Sequence, residues 1–386
     1  MKFSVNTQNC IIGIQKAASI TPTKSGMVML STIWIKASKE AGTITIMSTD
    51  AGVQYLGTFP AYVVEEGLIG LSSKTFTDLF RALPQGTVEV STEGEQAVLR
   101  QSGRTYRLPL SDPTFFQPLS PIPESMTQGG AVSWNGKALI ELVDRVQFCV
   151  GDDDDSPVGC MVIRPDSDGK VHICALDGTK FALCSLDYPD LYTSLPRSGL
   201  LIQKKYMASL GKLMPEGDIQ LGFDEKRLYI VDSRDTVSLP LTPMDFPDYS
   251  FFVNKVEADG CTTVRAALED VGSVISRMSI FITNENEGAY LAFQGDKVTL
   301  TSSAHTLGSA VETIPATIEG PLDAIAFGVR SLSEIIQHLG SKGEIEMRFT
   351  SSDGPCRFTL SGNTDYMVIA MPLNMEDESY YEEVSE

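Results

Sequence analysis

One pattern occurs three times along the 386 residues, and this repetition limits the possible folds more than any other feature of the chain. Leu83-Pro84-Gln85-Gly86-Thr87-Val88-Glu89-Val90 returns as Met214-Pro215-Glu216-Gly217-Asp218-Ile219-Gln220-Leu221, then as Leu339-Gly340-Ser341-Lys342-Gly343-Glu344-Ile345-Glu346-Met347. The shared glycines, Gly86, Gly217 and Gly343, fall 131 and 126 residues apart. Before each copy, apolar side chains at three- and four-residue intervals predict a helix: Ser73 to Leu83, Gln203 to Met214 and Arg330 to Leu339. After each, alternating runs predict a hairpin and a closing strand: Thr105 to Leu110, Thr236 to Leu241 and Asp365 to Leu373. The opening halves match too. Lys2-Phe3-Ser4-Val5 leads into a helix over Thr7 to Ala18, Ala131-Val132-Ser133-Trp134 into Asn135 to Gln147, and Thr262-Thr263-Val264 into Arg265 to Met278.

Periodicity lapses at Ser120 to Gly130 and near Asn254 to Gly260, so the repeats predict three domains, 1–125, 126–256 and 257–386. The last ends in an acidic tail over 376–386, six acids in eleven residues, a composition that disfavours a packed structure. The fold class is α+β, with two amphipathic helices per domain backed by antiparallel sheets of about eight short strands.

Several functional classes are disfavoured. No G-x-G-x-x-G follows a strand and no G-x-x-x-x-G-K-[ST] occurs, so nucleotide cofactors are not expected. The seven cysteines are scattered without a C-x-x-C pair, and His172, His305 and His338 lie far apart without zinc-ligand spacing, so neither a metal nor any other cofactor is expected. Asp50 and Asp177 each sit close to a glycine at a strand-to-turn junction and read as turn residues rather than catalytic acids. Cys149 and Cys174 lie in apolar runs and read as inert core thiols. With no apolar run of about eighteen residues and no signal-like start, a cytoplasmic protein without membrane contact is expected.

Charge is unevenly placed. Thirty basic against fifty acidic residues give −20, a sign that repels nucleic acid over most of the surface. The six predicted helices, the last extended to Lys342, carry +1, +1, 0, +3, 0 and +1, or +6 together, leaving −26 on the rest. Neutral-to-basic helices in a strongly acidic chain predict that a helix-tiled surface faces a polyanion while the sheets face outward. Lys16, Arg81 and Lys212 belong to this helix charge.

The residues also resemble a known family, the beta subunit of DNA polymerase III, the bacterial sliding clamp. The marks are the opening Met1-Lys2-Phe3, the central Leu176-Asp177-Gly178-Thr179-Lys180-Phe181-Ala182, the stretch Asp245-Phe246-Pro247-Asp248-Tyr249 and the closing Met371-Pro372-Leu373, so the resemblance spans nearly the whole chain. It implies a non-catalytic, head-to-tail homodimer closing into a ring of six domains, with twelve helices lining a hole for double-stranded DNA. Twelve helices spaced at 8 to 10 Å make a circle roughly 35 Å across at the axes, leaving on the order of 25 Å inside. Binding of this kind encloses the duplex and reads no base edge.

The resemblance implies DNA contacts at Lys24, Lys74, Lys204 and Lys205. It implies an apolar pocket for peptides of the polymerase III alpha subunit, the clamp loader, other polymerases and repair proteins. The matching positions are Gly159, Leu176, Gly178, Thr179, Lys180, Phe181, Pro247, Phe252, Ile369, Met371, Pro372 and Leu373. It implies ring closure through Ile280 and Phe281 against Tyr106 and Leu108 of a second copy. Two departures stand out. Gly159 replaces a larger apolar residue, which predicts a deeper or softer pocket, and Asp152 to Asp155 stand where polar or basic residues are usual, reading as a solvated loop. The tail begins beside the pocket wall, which suggests Tyr380 and Tyr381 as transient covers. The alternative is a protein-interaction scaffold that does not encircle DNA and has no need of basic helices.

Overall fold

Helix Thr7–Ile20 shows how the repeated pattern becomes structure. Asn6 accepts a hydrogen bond from Gln8 N at 2.9 Å and so satisfies one of the free N–H groups at the helix start. Thr7, Cys10, Ile14, Ala17 and Ile20 then turn inward at three- and four-residue spacing. Gly13 lies on the same face, where a β-carbon would come within 2.1 Å of the Phe59 ring, so glycine lets the helix approach the sheet.

The computed structural model describes residues 1–22, 27–283, 287–304 and 307–374. The chain separates into two compact units, one of 1–141 with 205–243, the other of 142–204 with Met244 onward. The middle repeat is thus divided between them.

The first unit holds a five-stranded antiparallel sheet in the order Tyr62–Glu65, Lys2–Asn6, Thr87–Glu93, Gln96–Gln101, Arg104–Pro109. Its eight-stranded sheet runs Val132–Asn135, Asp218–Phe223, Arg227–Val231, Asp235–Pro240, Gln54–Pro60, Thr43–Thr49, Thr32–Ser38, Gly67–Ser72. Helix Thr7–Ile20 packs on helix Ser73–Ala82, which buries Phe76 and Phe80 and turns Lys74, Asp78 and Arg81 outward. Each fully buried aliphatic or aromatic side chain here stabilises the fold by about 1.5–3 kcal/mol relative to exposure.

The second unit repeats the arrangement. Its nine-stranded sheet runs Leu200–Gln203, Cys160–Pro165, Val171–Leu176, Lys180–Leu186, Tyr366–Ala370, Cys356–Leu360, Glu344–Phe349, Thr262–Ala267, Thr317–Glu319. A four-stranded sheet orders Gly308–Pro315, Lys297–Ala304, Gly288–Gln294, Ala324–Gly328. Helices Leu268–Met278 and Val329–Leu339 pack together through Val271, Ile275, Leu332 and Ile336.

Both large sheets are continuous across repeats. The closing strand Asp235–Pro240 pairs with Gln54–Pro60, joining Asp235 to Gly57. In the same way Tyr366–Ala370 pairs with Lys180–Leu186, joining Ala370 to Lys180. Two elements differ from the sequence expectation. Residues 265–267 end strand Thr262–Ala267, where Arg265 pairs with Glu346, and the helix begins only at Leu268, because ladder pairing outweighs the helix propensity of Ala266 and Ala267. The linker near Asn254 is helical up to Glu257, within helix Ser250–Glu257.

Candidate functional site

A two-residue hairpin turn builds the centre of the site. Asp177 Oδ1 accepts from Thr179 N, Thr179 Oγ1 and Lys180 N at 2.7–2.8 Å, and Gly178 takes φ +93°, a value suited to glycine. This pins Leu176 opposite Phe181 and lets Thr179 O accept from Met371 N at 2.9 Å. Asp50 does the same for its own turn, accepting from Gly52 N and Val53 N, so both aspartates hold turns as the sequence suggests.

Beside this turn lies an open apolar hollow, walled by Leu176, Gly178, Thr179, Lys180, Phe181, Tyr249, Phe252, Ile369, Ala370 and Met371. Phe181, Tyr249 and Ile369 are buried and form its base, while Phe252 and Met371 remain 41% and 40% exposed at the rim. The Phe181 and Tyr249 rings stack at 4.9 Å. At the head of helix Ser250–Glu257, Asp248 Oδ1 accepts from Ser250 N at 2.9 Å. Hydrogen bonds from the Ser250 side chain and backbone hold the Asp248 carboxyl below its ordinary pKa.

Lys180 contributes its stem rather than a free charge. Its ammonium pairs with Glu334 and lies 3.7 Å from Asp177 Oδ2 and 5.6 Å from the centre of the Phe148 ring. Burial opposes the charge, but Glu334 and Asp177 outweigh it and keep the Lys180 pKa above its ordinary value. The hollow therefore offers apolar surface, an exposed methionine that adapts to different ligands, and backbone polar groups, a lining suited to a short apolar peptide.

Eight of the twelve pocket positions expected from sequence come together here. Gly159, Pro247, Pro372 and Leu373 are not among the walls. Leu373 instead donates its backbone N–H to Ala326 O at 2.8 Å. Gly159 neither deepens nor softens the hollow, because a β-carbon on it would come within 2.1 Å of the Asp153 carbonyl oxygen, so the acidic loop fills that space. Tyr249 and Ala370 were missed. Tyr249 carried a signal, since it stands two residues after Pro247 in a stretch singled out for its resemblance.

The helix cations divide into two kinds. Lys16 is 16% exposed and pairs with Asp235 Oδ2 at 2.5 Å, while Tyr55 donates to Asp235 Oδ1 at 2.8 Å. Its charge is paired inside the first unit. Lys74, Lys205 and Lys212 are exposed, and Arg81 is exposed 4.0 Å from Asp78. Lys204 donates to Val150 O at 2.9 Å and to Asp152 Oδ1 at 2.7 Å, which ties the acidic loop to a basic helix. Lys24 lies outside the described residues, as do Tyr380, Tyr381 and the rest of the tail. With the observed helix limits the six helices carry +1, +1, 0, +3, −1 and 0, a total of +4 rather than +6, against −20 for the chain. The third repeat contributes none of the excess.

Two of the sheet-edge strands carry or adjoin the residues expected at a ring joint. Arg104–Pro109 bonds to one neighbour only and carries the half-buried Tyr106 and Leu108. Gly308–Pro315 bonds only to Lys297–Ala304, and the turn Ser279–Phe281 leaves Ile280 67% exposed with Phe281 half-buried.

All seven cysteines are free thiols and only Cys261 is not buried; burial pushes Cys10 and Cys184 up to about 12 and raises Cys149 and Cys174 as well. No described helix is long and apolar enough to cross a membrane.

Comparison with known proteins agrees with this architecture. Residues 1–115 match the family described as DNA polymerase III beta subunit, N-terminal domain, and residues 258–374 match its C-terminal domain. The chain is 23% identical to the beta sliding clamp of Treponema pallidum over 97% of its length and all of that protein, and 21% identical to that of Chlamydia pneumoniae over 98% of its length and all of that protein. Its fold is similar to that of the Pseudomonas aeruginosa DNA polymerase III beta subunit, with a TM-score of 0.87 at 19% identity, covering 97% of this chain and 100% of that one.

Proposed function

The chain belongs to the DNA polymerase III beta subunit family, and from that membership we propose that it is a sliding clamp: a ring-shaped homodimer that encircles duplex DNA, slides without sequence preference and tethers the replicative polymerase. One structural pattern supports the ring above all. In two places the closing strand of one repeat pairs with the fourth strand of the preceding repeat, Asp235–Pro240 with Gln54–Pro60 and Tyr366–Ala370 with Lys180–Leu186. The remaining closing strand, Arg104–Pro109, and the remaining fourth-position strand, Gly308–Pro315, each lie at a sheet edge with one neighbour. A second copy supplies the missing partner at each end, a heterologous contact that closes once the rotation completes a circle. Tyr106 and Leu108 then meet Ile280 and Phe281, and these two edges no longer stand open to aggregation.

Three domains with limits near 125 and 256 follow from the repeats, and two chains give twelve helices around the hole. Lys74, Lys204, Lys205, Arg81 and Lys212 supply the cations that face the phosphates, while the acidic remainder keeps DNA off the rim. The hollow around Phe181 and Met371 takes the clamp-binding peptides of the polymerase III alpha subunit, the clamp loader and other polymerases and repair proteins. The protein is a non-catalytic, cytoplasmic processivity subunit. Primer extension on singly primed circular template tests this reading: with clamp loader and polymerase present, adding the chain should lengthen products from single binding events. Phe181→Ala with Met371→Ala should abolish that gain, and product lengths that ignore the chain would overturn the reading.

A further inference from the structure

The strands Cys160–Pro165 and Val171–Leu176 are joined by the turn Asp166-Ser167-Asp168-Gly169-Lys170, closed by Asp166 N donating to Lys170 O at 2.9 Å with Gly169 at φ +85°. The turn gathers Asp166, Asp168 and His172, and one donor atom from each lies within 4.8 Å of the others. His172 is the unusual member. Its side chain is only 7% exposed, its Nδ1 is 2.9 Å from Tyr249 Oη, and its Nε2 is buried with no hydrogen-bond partner. Asp168 Oδ2 lies 3.6 Å from that Nε2, too far for a hydrogen bond but close to the separation of two ligands around one small cation.

A buried imidazole nitrogen without a partner forfeits its solvation unless something accepts its lone pair or its proton. Two carboxylates, Asp166 and Asp168, lie beside the ring; Arg164 has its Cζ 5.6 Å from the Tyr249 ring centre, and Lys170 of the same turn pairs with Asp365 at 3.7 Å. We propose that Asp166, Asp168 and His172 Nε2 form a binding site for a divalent transition-metal ion of the zinc class, with solvent completing the coordination. One imidazole and two carboxylates form a mixed nitrogen–oxygen donor set that zinc accepts, whereas magnesium and calcium favour oxygen alone. Metal on Nε2 leaves the proton on Nδ1, which then donates to Tyr249 Oη. The hydrogen bond that fixes the ligand ring thus ends on a residue that also walls the apolar hollow. Ion occupancy stiffens that wall from beneath.

The test is calorimetric titration of ZnCl₂ into the full chain after removal of metal by chelation. One saturable site per chain is expected, with affinity lowered at least about tenfold in Asp168→Asn and in His172→Gln. Asp168 is 47% exposed, so Asp168→Asn keeps the fold and remains informative if the buried His172 variant does not. Cobalt(II) substitution should give a visible absorption band that Asp168→Asn removes. Absence of saturable zinc uptake would overturn the proposal. So would equal uptake by Asp166→Asn and Asp168→Asn, which would assign the ion to other carboxylates such as those of 152–155.

Discussion

Lys16 carries a structural charge, and its substitution separates stability from DNA contact. Lys16→Ala leaves Asp235, 9% exposed, with only the Tyr55 hydroxyl as partner, and breaking a buried pair from one side costs about 3–5 kcal/mol. Denaturant unfolding should show that loss while the folded fraction keeps its DNA affinity; unchanged stability with lost DNA binding would contradict the assignment. Asp152 is the converse case. It is 94% exposed and holds Lys204, so Asp152→Asn releases a cation for phosphate and should raise DNA affinity at low salt by roughly twofold, the modest scale of an exposed pair. Fluorescence anisotropy at low and high salt checks this, with the gain fading as salt rises. These distinctions were beyond the sequence. Lys16 and Asp235 are 219 positions apart, and nothing in helix periodicity announces that a cation on the correct stripe is already paired. Gly159 likewise read as an enlarged pocket because the approach of the Asp153 carbonyl depends on a loop path that residue identity does not encode.

At the scale of elements, periodicity was a good guide where a helix or strand satisfies its own pattern. Helices Ser73–Ala82 and Val329–Leu339 lie within a residue of their expected limits because their apolar stripes face one core. The start at Leu268 was misplaced, since the pairing of Arg265 with Glu346 is a contact 81 residues distant. Eight residues of the hollow were named through the resemblance carried by stretches such as Leu176 to Ala182 and Met371 to Leu373; the part played by Tyr249 depends on where helix Ser250–Glu257 is set. The Asp177-Gly178-Thr179 turn gives a direct prediction. Gly178→Ala forces an L-residue to φ +93°, a strain of about 1–2 kcal/mol, so the turn should relax away from Met371 and weaken binding of an apolar clamp-binding peptide several-fold. Equal peptide affinity in titration calorimetry would show that the turn does not shape the hollow.

For the whole molecule, three repeats in sequence become two compact units in space because the middle repeat gives one sheet to each neighbour. Repetition alone specified the three copies but not this sharing, since strand pairing between repeats leaves no mark on the period. The same sharing leaves the closing strand of the first repeat and the fourth strand of the third without such a partner. It predicts a species of twice the 41.9 kDa chain mass that Ile280→Arg converts to monomer. Enclosure of DNA by that dimer is tested most directly by loading the protein onto nicked circular plasmid, cutting the circle once and measuring what stays bound at moderate salt. Encirclement predicts stable retention on the circle and rapid loss from the linear ends; equal retention on both forms, or release from both, would contradict it.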